Sequence, residues 1–100
     1  MSTFAAISDP TRREILALLR SGEQAAGDLV EALKRPQPNV SKHLKYLRDA
    51  GLVQMRIDGP RRLYRLDAAP LAEIDQWLAS YRAFWSDKLD ALGDHLGRSD

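Results

Sequence analysis

The sequence changes period once, abruptly, between Gly51 and Asp67. Leu52 to Ile57 alternates apolar and polar residues, Arg61 to Leu66 does so again, and Asp58-Gly59-Pro60 lies between them. Alternation sends successive side chains to opposite faces of a strand, and Asp-Gly between two such runs is a strong hairpin signal. On either side of this segment apolar residues recur at threes and fours instead. The chain is therefore expected to be mainly α with a small β-hairpin. The hairpin follows directly on a helix, because Gly51 reads as a C-terminal helix glycine.

Three helices are expected before it. Thr3 to Ile7 is a short apolar lead-in. Asp9-Pro10 then announces a helix, with Asp as N-cap and Pro at the first position, where its missing N–H costs nothing. That helix turns Ile15, Leu16, Leu18 and Leu19 inward and stops at Ser21-Gly22. Arg12 and Arg13 sit in its first turn, the unfavourable end of the helix dipole. They read as solvated arginines, with phosphate contact or a dimer salt bridge as the alternatives. A second helix, Ala26 to Leu33, buries Leu29, Val30 and Leu33. Lys34, Arg35 and Pro36 lead into the third, over about 37–50. Two short helices joined by a tight connector make a helix-turn-helix signature.

The third helix has an unusual polar side. Val40, Leu44 and Leu47 fall on one face, with Ser41, Lys42, Lys45 and Tyr46 opposite. Short hydrogen-bonding groups (Gln37, Asn39, Ser41) come first, then cations and one aromatic. That is the equipment of a helix laid in a DNA major groove, where N-terminal residues meet base edges and longer cations reach phosphates. In isolation a solvated amphipathic helix is the better account of the stretch, and the surrounding chain decides. Residues 1–36 hold five cations and five anions. Residues 37–66 hold seven cations against Asp49 and Asp58, which is +5, and residues 67–100 hold three cations against seven acids, which is −4. The positive charge is concentrated in one continuous third, as expected of an anionic partner held by one face. A basic hairpin over about 52–66 directly after a helix-turn-helix is expected to act as a wing along the phosphates or in the minor groove.

From about 70 to 97 a single long helix is expected. Leu71, Ile74, Leu78, Tyr81, Trp85, Leu89, Leu92 and Leu96 step by threes and fours, and Trp77 and Phe84 widen the stripe. One domain of 100 residues cannot cover so long an apolar helix, so the excess is expected to form a dimer interface through Leu78, Tyr81, Trp85, Leu89 and Leu92. An aromatic stripe can also line a pocket for an apolar effector. Core and interface is the commoner use, and the residues name no effector. The chain has no cysteine, which removes disulfides and thiolate sites and suits a cytoplasmic protein. It shows no membrane span or signal peptide. No Ser/His/Asp order, glycine-rich phosphate loop or apolar carboxylate pair supports catalysis.

Four segments, Ala-Ile-Ser-Asp-Pro-Thr-Arg-Arg-Glu-Ile-Leu (6–16), Pro-Asn-Val-Ser-Lys-His-Leu (38–44), Leu-Arg-Asp-Ala-Gly-Leu-Val (47–53) and Gly-Pro-Arg-Arg-Leu-Tyr-Arg-Leu (59–66), resemble the ArsR/SmtB family of bacterial winged-helix repressors. The resemblance covers essentially the whole chain. It implies one winged helix-turn-helix domain that dimerises through terminal helices and represses transcription from double-stranded DNA. By resemblance Gln37, Asn39, Ser41, Lys42, His43 and Lys45 match recognition positions, and Arg61 and Arg62 match the wing. The resemblance also favours DNA over a core-edge role for His43; Tyr46 reads as cover for the neighbours of Leu47, with stacking on a sugar–phosphate edge as the alternative. Two departures stand out. The cysteine pair of the metal-sensing members is missing, and the last helix offers Asp87, Asp90, Asp94 and a single His95, an acid-rich end rather than an imidazole-led site. Hence no metal and no cofactor are expected, as in the cysteine-free, autorepressor-like branch. In addition, Pro36 stands where many members cap the recognition helix with Ser. A dimeric winged-helix interaction module without DNA binding is the alternative, and the +5 middle third argues against it.

Overall fold

The computed structural model describes residues 2–98, with side chains through Trp85. Its first element corrects the sequence reading: the apolar lead-in is a helix, α1 (Thr3–Ile7), whose N-terminus is capped by Ser2 Oγ accepting from the amides of Phe4 and Ala5. Its C-terminal carbonyls are taken by the two arginines expected to be solvated. Arg12 Nε donates to Ala6 O at 2.7 Å, Arg12 Nη2 to Ala5 O at 3.0 Å and Arg13 Nη1 to Ile7 O at 2.7 Å. The cause is electrostatic: orphan carbonyls at the negative end of α1 meet guanidinium donors at the start of the next helix.

That next helix, α2 (Pro10–Leu19), starts as its residues dictate, with Asp9 accepting from the Arg12 amide at 3.1 Å and Pro10 in the first turn. The Arg12 amide bond is the main cause of an Asp9 carboxyl held below its ordinary range. After α2 comes a strand that sequence reasoning missed, β1 (Gln24–Ala25), then α3 (Ala26–Leu33) and α4 (Gln37–Asp49). The connection bends through Lys34, a non-glycine residue at φ 53 in the left-handed region. α3, the connection and α4 form the helix-turn-helix. α4 ends in a Schellman motif: Gly51 (φ 79) donates to Arg48 O, and Leu52 donates to Leu47 O, both at 2.9 Å.

The hairpin is β2 (Val53–Asp58) and β3 (Arg61–Leu66), antiparallel, with Asp58 opposite Arg61. The loop is thus Gly59-Pro60, with Gly59 (φ 60) at its first position, the arrangement of a type II′ turn. Asp58, expected as part of the turn, is the last residue of its strand, because Pro60 cannot take a positive φ and the glycine must come first. β1 adds to the outer edge of β3 through Gln24–Tyr64 and Ala25–Leu63, giving the order β1-β3-β2. Ile15, Leu19, Leu29, Val40, Leu44, Leu47, Leu52 and Val53 are the largest side chains wholly removed from water. They come from α2, α3, α4, the turn after it and β2, so one core holds α4 and the root of the wing together. α5 (Leu71–Arg98) runs out from this body. Leu71, Ile74 and Leu78 are half-buried on it, and Phe4 of α1 meets Trp77 edge-on at 5.6 Å.

Candidate nucleic-acid interface

Burying Val40, Leu44 and Leu47 to 1% exposure or less fixes the roll of α4. The opposite face then has to meet solvent, and Asn39, Ser41, Lys42 and Lys45 are exposed on it, with Gln37 exposed at the start of the helix. The helix begins without a side-chain cap. Pro36 supplies only its carbonyl, which accepts from Asn39 and Val40 at 3.0 and 3.2 Å, and Pro38 carries no amide.

Between this face and the wing lies an open cleft of about 700 Å³ lined by the start of α3, by Gln37 and Ser41 of α4, and by Arg61, Arg62 and Tyr64 of β3. Four of the eight expected DNA-binding residues thus come together: Gln37 and Ser41 on one wall, Arg61 and Arg62 on the other. Asn39, Lys42 and Lys45 lie on the exposed helix face outside the cleft lining. Asp28 is the acid in the cleft, 4.0 Å from an Arg61 nitrogen with both side chains more than half exposed. Such a pair in water holds Arg61 only weakly.

His43 is placed differently. It is half-buried on the seam between α2 and α4, with Nδ1 3.4 Å from Arg12 Nη1. Tyr46, one turn on, lies under the same guanidinium, whose carbon stands 4.1 Å from the ring centroid. The seam could not be read from spacing, since it joins residues 31 positions apart.

On the wing, Arg56 makes a two-pronged contact with Glu23 at 2.9 and 2.8 Å. Arg56 is one of the seven cations of the middle third, and this pairing offsets its charge. The guanidinium bond lowers the Glu23 carboxyl below its usual range and raises Arg56. A lowered carboxylate value means the lock is present at neutral pH and is lost as pH falls through it. Glu23 lies just before β1, so the pair ties the middle of β2 to the segment that leads into β1. Sequence reasoning also passed over Ile57. It pairs with Arg62 across the hairpin, shares its face, and is 68% exposed.

Of the expected dimer residues, Leu78 is half-buried, and Tyr81 and Trp85 are 43% and 42% exposed. They continue an aromatic ladder: Trp77 to Tyr81 at 5.2 Å, then Tyr81 to Trp85 stacked at 6.3 Å. Leu89 and Leu92 lie beyond the residues whose side chains are described, as do Asp87, Asp90, Asp94 and His95. Among the described residues no group of three or more His, Cys, Asp or Glu is placed to hold a metal ion, and no helix is long and apolar enough to cross a membrane.

Comparison with known proteins agrees with this geometry. Residues 9–55 match the family described as bacterial regulatory protein, arsR family. The transcriptional repressor SdpR of Bacillus subtilis is 36% identical over 80 residues, covering 80% of this chain and 89% of that one. A crystal structure of a possible transcriptional regulator for arsenical resistance superposes with a TM-score of 0.72 at 38% identity, covering 95% of this chain and 96% of that one. A homodimeric winged helix-turn-helix DNA-binding domain from Mycobacterium bovis, solved by NMR, superposes with a TM-score of 0.63 at 32% identity and covers 79% and 76% of the two chains.

Proposed function

Since the chain belongs to the arsR family of bacterial regulatory proteins, and is accordingly a transcriptional regulator with a DNA-binding helix-turn-helix, we propose that it is a cytoplasmic homodimeric repressor of an inverted-repeat operator. The observation that carries this reading is the cleft in which Gln37 and Ser41 of α4 face Arg61 and Arg62 of the wing. Hydrogen-bonding groups suited to base edges stand on one wall and phosphate-binding cations on the other. α4 enters the major groove with Gln37, Asn39, Ser41, Lys42, His43 and Lys45 toward the DNA, and Arg61 and Arg62 follow the neighbouring backbone.

Dimerisation rests on the exposed rings of Tyr81 and Trp85 beside half-buried Leu78, on the sequence spacing that Leu89 and Leu92 continue, and on the homodimeric state of the related Mycobacterium bovis domain. A two-fold dimer sets two recognition helices about one DNA turn apart, which calls for an inverted repeat. Repression is then steric: the dimer covers a promoter.

The test is binding to the DNA upstream of the protein's own gene, followed by anisotropy as salt is raised. A dimer neutralising roughly 6–10 phosphates loses about a thousandfold or more in affinity between 50 and 200 mM salt. A flat salt dependence overturns DNA binding and leaves the winged helix as an interaction module.

A further inference from the structure

We infer that Arg12 is a positioning residue for the recognition helix, acting through His43, an inference that rests on the DNA-binding reading of α4. One guanidinium spends its donors in three directions. Nε and Nη2 hold the carbonyls of Ala6 and Ala5 at 2.7 and 3.0 Å, closing the end of α1. Nη1 approaches His43 Nδ1 at 3.4 Å, and the guanidinium lies over Tyr46 with its carbon 4.1 Å from the ring centroid. His43 and Tyr46 both belong to α4, one turn apart. A planar fork of five donors can do this from one side chain, whereas a lysine ammonium is a single point of charge. α1 in turn meets α5 through Phe4 and Trp77, so the guanidinium links the element beside the aromatic ladder to the element that reads DNA.

The contact with His43 has a chemical consequence. Guanidinium nitrogens donate and never accept, so Nδ1 must be the acceptor and the imidazole proton sits on Nε2. Asp9 also interacts with His43 through its field. Arg12 therefore fixes both the plane of the ring and its tautomer, and the far edge of His43 carries an N–H donor. An imidazole held this way favours a hydrogen-bond acceptor opposite it, either a phosphate oxygen or the O6 or N7 edge of guanine. The specificity ratio between operator and random DNA separates these two targets, since only a base contact raises it.

The base edge is the target we assign, because a ring held at Nδ1, with its proton on Nε2, suits directional readout. Three measurements test it. In the unaltered protein, imidazole nitrogen NMR shifts should show His43 as the Nε2–H tautomer, and a majority of the Nδ1–H form overturns the pairing. Arg12→Lys keeps the charge, so affinity for random DNA should hold while preference for the operator falls about tenfold. Equal loss on both DNAs, or undiminished preference, overturns the assignment. In a His43→Ala background the effect of Arg12→Lys on preference should vanish. Its persistence there shows that Arg12 does not act through His43. The NMR result judges the pairing even if Arg12→Lys fails to fold. Unaltered protein that does not distinguish upstream from random DNA strikes at the DNA-binding reading instead.

Discussion

The apolar stripes of α4 and α5 have the same helical spacing, yet Val40, Leu44 and Leu47 are at most 1% exposed whereas Trp77, Tyr81 and Trp85 keep 52%, 43% and 42%. α4 is roofed by α2, α3 and the root of β2, and its polar face is left to meet a ligand. α5 is met near its start by α1, through Phe4 against Trp77, and its next aromatic rings stand beyond that cover. Spacing tells which side of a helix is apolar; it does not tell whether the same chain supplies the cover. A stripe closed within one chain contributes to the stability of the fold, while a stripe left open contributes to assembly. The two helices should therefore respond differently to the same kind of substitution.

The largest effect is expected on α5. Trp85→Glu places a charge in the middle of the open ladder, and a buried, unpaired charge is not tolerated in an apolar interface. The variant should sediment as a monomer, keep its helical circular dichroism, and lose on the order of a thousandfold in operator affinity as it falls to non-specific binding. A variant that remains dimeric puts the interface elsewhere and breaks the comparison at its root.

Next comes α4. Leu47 is wholly buried among core side chains, so Leu47→Ala should cost about 2–5 kcal/mol in denaturant unfolding, from lost burial plus the cavity left behind. Trp85→Ala, measured at concentrations where dimers have separated, should change stability by about 0.5 kcal/mol, as for other surface positions. Similar costs at both sites would mean that α5 is sealed against its own chain after all.

The same contrast sets how much the sequence revealed. Period and punctuation made α2, α3, α4 and the hairpin legible, because Asp9-Pro10, Gly51 and the alternating runs are local signals. Local signals fail for elements too short to show a period: α1 has five residues and β1 only two. They also fail wherever a side chain reaches across the fold. Arg12 on His43 joins positions 31 apart, and Arg56 on Glu23 joins positions 33 apart. Four candidate residues meet in the cleft because α3 packs against both α4 and β3, a fact of topology. The expectation that His43 faces DNA and its contact with Arg12 involve opposite edges of one ring, and composition could not have separated them.

Within the α4 face, helix and wing should separate by role. Lys42→Ala is expected to relax the preference for operator over random DNA by about 1–3 kcal/mol, the worth of a good bidentate base contact. Arg61→Ala, on the exposed wing, should weaken both DNAs nearly alike and flatten the salt slope by about one. Competition binding with operator and random duplexes distinguishes them. Equal losses for both variants on both DNAs would reduce Lys42 to a phosphate contact.

The smallest effect is expected at the start of α4, where a stable helix has been left without its customary cap. Pro36 sits at the N-cap with φ −56 and ψ 142 and makes no side-chain hydrogen bond to the helix. Serine can occupy the same backbone angles, and its hydroxyl reaches an amide of the first turn, a bond worth about 0.5–2 kcal/mol. Against this stands the freedom that removing a proline restores to the unfolded chain, about 0.4–1 kcal/mol in the other direction. Pro36→Ser should therefore stabilise the free protein by about 1 kcal/mol or less, read as a rise in the denaturant midpoint with an unchanged slope. Operator affinity should move little, because the helix keeps its N-terminus and its positive dipole end for phosphate. If the variant is instead less stable, the proline is fixing the bend that follows Lys34 in its left-handed conformation. The start of the recognition helix is then held by its connector rather than by its cap.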